Sequence, residues 1–160
     1  MMLRQTGFPP CMAPNTRVLI LGSLPGVASL KAGEYYAHPR NQFWAIWAEL
    51  LHCPLLDLPY AARLAQLQAH GIGLWDVIHS AQRSGSLDTD LRQIQINPLP
   101  AFIAQWPTLS CIAFNGQTAG KAAKILPPTL PHFILPSTSP AHTLKLAHKI
   151  SAWRTLLPYL

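Results

Sequence analysis

At 160 residues and 49% hydrophobic content the chain has the length of one globular domain with a real core, and 12 Lys+Arg against 6 Asp+Glu give it a net charge of +6. Charged residues are only 11% of the chain, which excludes a basic tail or charge run and leaves a distributed positive balance suited to a polyanionic partner. Three scattered cysteines, Cys11, Cys53 and Cys111, with no Cys-x-x-Cys pair and no histidines at ligand spacing, read as reduced structural thiols, so neither a metal nor a cofactor is expected. No stretch approaches the roughly 18 apolar residues of a membrane span and the N-terminus lacks the apolar core of a signal peptide, so no membrane association and a cytoplasmic location are expected.

In chain order, Met1 to Thr16 holds Gly7, Pro9, Pro10 and Pro14, which predict an extended arm without regular structure laid over the domain. Arg17 to Ser23 is an apolar run closed by a Gly-Pro turn and predicts a buried first strand. A loop with Tyr35 and Tyr36 follows. Asn41 to His52 then places Phe43, Trp47, Leu50 and Leu51 at i, i+4, i+7 and i+8, one buried helical face, with Asn41 in its first turn. Tyr60 to His70 predicts a helix stopped by Gly71, and Gly71 to Ile78 a second strand. Ser80 to Gln95 is polar and predicts a surface loop with room for one helical turn. Pro100 to Trp106 predicts a short helix, Leu109 to Asn115 a third strand, Gln117 to Leu126 a helix and His132 to Pro136 a fourth strand. A last helix is expected after Pro140, running to Leu157, with Leu146, Ile150, Trp153 and Leu157 on one face. Strands that alternate with helices argue for an α/β fold: a three-layer α/β/α sandwich on a mostly parallel four-stranded sheet, as a single domain over 1–160.

In such open sheets ligands sit beyond the carboxyl ends of the strands. The loops after Leu21, Trp75, Phe114 and Leu135 therefore converge, carrying Gly22 and Ser23, Asp76, Asn115 with Gly116, and Ser137-Thr138-Ser139. Each signal has a plain structural reading beside it. GSLPG (Gly22 to Gly26) is a turn that leaves backbone amides at its end, but it lacks the Lys-Ser/Thr of a phosphate loop and the flanking glycines of a nucleophile elbow. Asn115-Gly116 is either a bland turn or an amide that offers a donor and an acceptor to a base edge. Ser137 and Ser139 read as helix N-caps, and a helix start with hydroxyls is also an anion site. Tyr35 and Tyr36 either pack on the core or offer a stacking surface to an extruded base.

The joint order of these motifs is more specific than any one of them. GFPP at Gly7, GSLPG, YYAHPRNQFW from Tyr35 to Trp44, GIGLWDVI at Gly71, GSLD at Gly85, FNG at Phe114 and LPSTSPAH at Leu135 resemble the uracil-DNA glycosylase superfamily, and most of all its deoxyinosine (hypoxanthine) branch. The resemblance implies a uracil-DNA-glycosylase-like fold, damaged DNA as partner and a monomer. It implies a catalytic role for Asn41, which matches the asparagine that the deoxyinosine branch is thought to use, and substrate or DNA contacts for Gly22, Ser23, Tyr36, His38, Asp76, Asn115, Ser137 and Ser139. Relatives with a four-cysteine iron–sulfur cluster are not matched, because three cysteines cannot fill one.

The chain also departs from the better-known uracil branches. Leu24 stands where those have Asp or Asn, Leu135 where their second motif begins with His, and Asp76 where they carry a base-reading asparagine. A monofunctional DNA glycosylase that flips out and hydrolytically excises a deaminated base, hypoxanthine first, is the expectation. The alternatives are excision of uracil or of mismatched G:U/T bases, and a lesion-binding module with weak turnover. A serine hydrolase is disfavoured, since no Ser, His and acid occupy a recognised spacing.

Overall fold

The computed structural model describes residues 3–160, so the reading for Met1 and Met2 lies outside the described residues. In chain order the elements are β1 (Arg4–Thr6), β2 (Val18–Gly22), α1 (Val27–Ala32), α2 (Phe43–Leu51), α3 (Tyr60–Ala69), β3 (Ile72–Asp76), β4 (Ile78–Gln82), β5 (Arg92–Ile96), α4 (Leu99–Ala104), β6 (Cys111–Asn115), α5 (Gln117–Gly120), β7 (His132–Leu135) and α6 (Leu146–Trp153). Four of the strands form a sheet in the order β3-β2-β6-β7, parallel at every pairing. β2 lies inside this sheet with all five of its residues buried, which is why VLILG reads as an unbroken apolar run rather than an alternation.

Alternate β2 side chains feed two cores. Val18 and Ile20 join Phe43, Trp44, Ile46, Trp47 and Leu50 of α2, Leu67 of α3 and Trp153 of α6. Leu19 and Leu21 join Leu99, Phe102 and Ile103 of α4, Ala119 of α5, and Ile78 and Ala81 of β4. Helices thus cover both faces, giving the three-layer sandwich that the strand–helix alternation predicts. On the α2 side, Trp153 meets Phe43 and Trp47 edge-on at centroid distances of 6.2 and 6.3 Å. Truncating such a buried aromatic typically costs about 3–5 kcal/mol.

The structure differs from the sequence expectations in several places. The arm is extended but not irregular: Arg4–Thr6 pairs with β4, and Cys11 exchanges backbone hydrogen bonds with Leu74, covering the edge of β3. The stretch expected as a polar loop contains most of β4 and most of β5, which complete a three-stranded antiparallel sheet in the order β1-β4-β5. All five residues of β5 are exposed, so no apolar alternation marks it; polar links such as Arg4 Nε to Ser80 Oγ (3.0 Å) and Ser80 Oγ to Gln95 Oε1 (3.1 Å) accompany the pairing. A six-residue helix, α1, follows GSLPG where only loop is expected. The Gln117–Leu126 helix is α-helical only to Gly120 and continues as a 3₁₀ segment over Lys121–Ile125. The last helix begins at Leu146, not just after Pro140, and passes into a 3₁₀ segment at Arg154.

Candidate active site

All four parallel strands end on one side, and a cavity of about 380 Å³ opens there. Its walls are the ends of β2, β3 and β6, the loop after β7, the tyrosine loop before α2 and the connection between β4 and β5. Gly22, Ser23, Tyr36, His38, Asn41, Asp76, Asn115, Ser137 and Ser139, the residues singled out in the sequence, all line it.

Asn41 lies two residues ahead of α2 and not in its first turn as the sequence pattern predicts, and its side-chain carbonyl accepts the Phe43 N–H at 3.0 Å. That bond satisfies one of the amides a helix start leaves unpaired. Its side-chain amide nitrogen makes no hydrogen bond among the described residues and is the group left to act in the cavity. His38 closes the turn before it, its Nδ1 accepting the Arg40 N–H at 3.1 Å.

The floor is built on a missing side chain. A Cβ on Gly22 would stand 2.6 Å from Asp76 Oδ1 and 3.3 Å from the Tyr36 hydroxyl, so glycine is what lets those two groups approach the end of β2. Asp76, the last residue of β3, is 4% exposed. Burial, reinforced by the charge of Asp88 and opposed by Arg83, pushes its carboxyl up to about 7. Tyr36 takes a left-handed backbone (φ 57°) and stacks on Phe43 with ring centroids 3.9 Å apart. One face of the ring expected to meet a base is therefore already covered. Burial, then the Asp76 charge, raises its phenol above the usual range.

Asn115 closes a clasp at the end of β6. Its Nδ2 donates to Thr138 Oγ1 at 3.0 Å and its Oδ1 accepts the Thr138 N–H at 2.9 Å. The Thr138 carbonyl in turn accepts the Gln42 N–H at 3.0 Å, tying the loop after β7 to the start of α2. One amide hydrogen and one lone pair of Asn115 are thus spent inside the protein. Gly116 (φ 98°) permits the approach, since a Cβ there would meet the Ser137 Cβ at 3.1 Å. Ser137 and Ser139 are not helix N-caps, because α6 starts only at Leu146; their hydroxyls instead accept the N–H of Ser139 (3.1 Å) and Ala141 (3.2 Å) and hold the loop's turns.

The β4–β5 connection packs on GSLPG. Ser23 Oγ donates to Asp88 Oδ1 at 2.8 Å, and Ser86 Oγ accepts the Val27 N–H at 2.8 Å, so the first amide of α1 is not free for an anion. Behind them Arg83, 2% exposed, donates to the Pro25 and Ser86 carbonyls and to Gln5 Oε1, with its Nη1 3.8 Å from Asp88. Leu24 forms part of the wall with no polar atom to offer, while Leu135 is packed in the core under α2. Among the described residues no group of three or more His, Cys, Asp or Glu could hold a metal ion, and no helix is long and apolar enough to cross a membrane.

Residues 9–157 match the uracil DNA glycosylase superfamily. The chain belongs to that superfamily. It is 36% identical over 152 residues to a protein of Methanosarcina barkeri named hypoxanthine DNA glycosylase, an alignment covering 94% of this chain and 96% of that one. A protein of the same name from Methanosarcina acetivorans is 34% identical over 151 residues, again covering 94% and 96%. The solution NMR structure of a proposed uracil DNA glycosylase from Methanosarcina acetivorans superposes with a TM-score of 0.88 at 33% identity and covers 97% of each chain. The superfamily fold thus accounts for the strand order and for the position of the cavity.

Sequence reasoning passed over three residues that build this superfamily site. Asp88 sits inside the quoted GSLD motif, yet its partner Ser23 is 65 positions away. Arg83 is one cation in a polar stretch, and nothing local announces that it is buried. Thr138 was visible only as part of a serine-threonine loop, its partner Asn115 lying 23 positions earlier.

Proposed function

We propose that the chain is a monofunctional DNA glycosylase that hydrolyses the N-glycosidic bond of hypoxanthine in deoxyinosine. The observation that carries this reading is Asn41, whose carbonyl is held by the Phe43 N–H so that its amide nitrogen is available in the cavity. The two relatives named hypoxanthine DNA glycosylase, aligned over nearly the whole chain, supply the substrate. The target nucleotide leaves the stack at a cost of about a few kcal/mol and enters the cavity base first. As the bond breaks, positive charge grows on the sugar and negative charge on the base, so a donor held in place before the reaction stabilises the transition state more than the ground state. Asn41 supplies that donor. Asn115, with one amide hydrogen and one lone pair left, reads the base edge, and the loops bearing Ser23, His38, Ser137 and Ser139 border the DNA backbone.

A release assay tests the reading. Duplexes with a single deoxyinosine or a single deoxyuridine are incubated with excess enzyme and the freed base is identified by mass. Hypoxanthine is expected to appear faster than uracil. Uracil released faster assigns the site to the uracil branches, and tight binding to the deoxyinosine duplex without any freed base makes it a lesion-binding module.

A further inference from the structure

Two polar atoms buried at the floor of the cavity have no hydrogen-bond partner among the described residues: Asp76 Oδ2 and the Tyr36 hydroxyl. Both residues line the cavity, Asp76 is 4% exposed, and both crowd the bare backbone of Gly22. A fold leaves such atoms unpaired at a loss of stability, and a bound molecule is what can complete them. Ionised, Asp76 would offer acceptors alone to a base that is gathering negative charge, opposing its departure. Protonated, it offers one donor and one acceptor, the complement of the N1–H and O6 of hypoxanthine.

We propose that Asp76 works as a neutral carboxylic acid that donates a hydrogen bond from Oδ2 to the departing base, with the Tyr36 hydroxyl beside it. The inference rests on the glycosylase reading and deepens it. The proton stays on Asp76 throughout: the C1′–N9 bond breaks, its electron pair leaves with the base, and the acid stabilises that charge through the hydrogen bond; water adds its oxygen to C1′ and releases a proton to solvent, from which the freed base anion takes one up. The surroundings favour the protonated form. Burial and the Asp88 charge raise its carboxyl to about 7. The opposing Arg83 is engaged with the Pro25 and Ser86 carbonyls, Gln5 and Asp88. Tyr35 and Tyr36, the other groups electrostatically coupled to Asp76, have phenols raised by burial and stay neutral. His38, His142 and Asp88 are the other ionisable side chains on the walls.

Single-turnover release of hypoxanthine from a deoxyinosine duplex, followed from about pH 5.5 to about 9.5, tests the proposal. The parent should show a plateau at low pH, a midpoint at or above about 7, and a fall of roughly tenfold per pH unit beyond it. Asp76→Asn offers a donor and an acceptor that do not titrate. It should release base at a pH-independent rate about tenfold below the parent plateau and above the parent at the alkaline end. A parent rate that is flat or rises with pH overturns the proposal. So does a folded Asp76→Asn protein that keeps the parent midpoint, which points to His38 or His142, or one that is inactive at every pH. Thermal unfolding establishes whether the variant is folded; if it is not, the parent profile alone decides. Release by the parent with the wrong profile removes this inference only, whereas no release at any pH removes the glycosylase reading with it.

Discussion

Asp76 carries a folding penalty that changes with pH. Its ordinary pKa is 3.8 and its value in the fold is about 7, so between these limits the folded chain holds a proton that the unfolded chain has released. The contribution of this group is therefore least unfavourable below the ordinary value, worsens as pH rises toward 7 and is constant above it, a difference on the order of a few kcal/mol. Asp76→Asn should accordingly raise the melting temperature relative to the parent more at pH 8 than at pH 5, read by paired thermal melts; an equal shift at both would show that the carboxyl is not perturbed. At this scale the sequence was informative about which residues gather and less so about what each does. Gly22, Asp76 and Asn115 were legible because each ends a buried apolar strand. The engagement of Asn115 by Thr138, and of Ser23 by Asp88, was not, because each partner is distant in sequence and reached only through the fold.

The clasp of Asn115, Thr138 and Gln42 joins the end of β6, the loop after β7 and the start of α2. It thereby couples the residue proposed to read the base to the entry of α2, where Asn41 lies. Thr138→Val removes Oγ1 and leaves the backbone bonds of the clasp. It should cost about 1 kcal/mol of stability, and the loosened Asn115 should slow base release by roughly tenfold. A variant that melts lower but releases base at the parent rate would confine Thr138 to a structural part. Among elements, the four parallel strands and α2 and α3 were legible because their apolar residues are continuous or fall at helical spacing. The three-stranded antiparallel sheet was not: β1 holds three residues, β5 is exposed throughout, and β4 follows β3 with only Val77 between them, so Gly71 to Ile78 reads as one strand. The C-terminal stretch misled for a different reason. Ser137 and Ser139 have the composition of N-caps, but their hydroxyls are used in turns several residues before α6 begins.

For the whole molecule, the three-layer sandwich buries both faces of the parallel sheet and leaves one edge of it, the carboxyl ends of the strands, for chemistry. The second sheet packs on the α4 side of that edge and holds the β4–β5 connection against GSLPG through Arg83, so one wall of the cavity, Ser86 to Thr89, belongs to a stretch that the sequence presents as loop. Net charge of +6 on a chain with few charges suits a phosphate backbone approached without a dedicated basic tail. The proposed dependence of base release on the amide of Asn41 is tested by Asn41→Ala, with unfolding, duplex binding and single-turnover release measured on one preparation. Loss of the bond to the Phe43 N–H should lower stability by about 1 kcal/mol, binding should change little, and release should slow by roughly a hundredfold or more. A folded Asn41→Ala protein that binds the deoxyinosine duplex and frees hypoxanthine at nearly the parent rate would remove Asn41 from the chemistry.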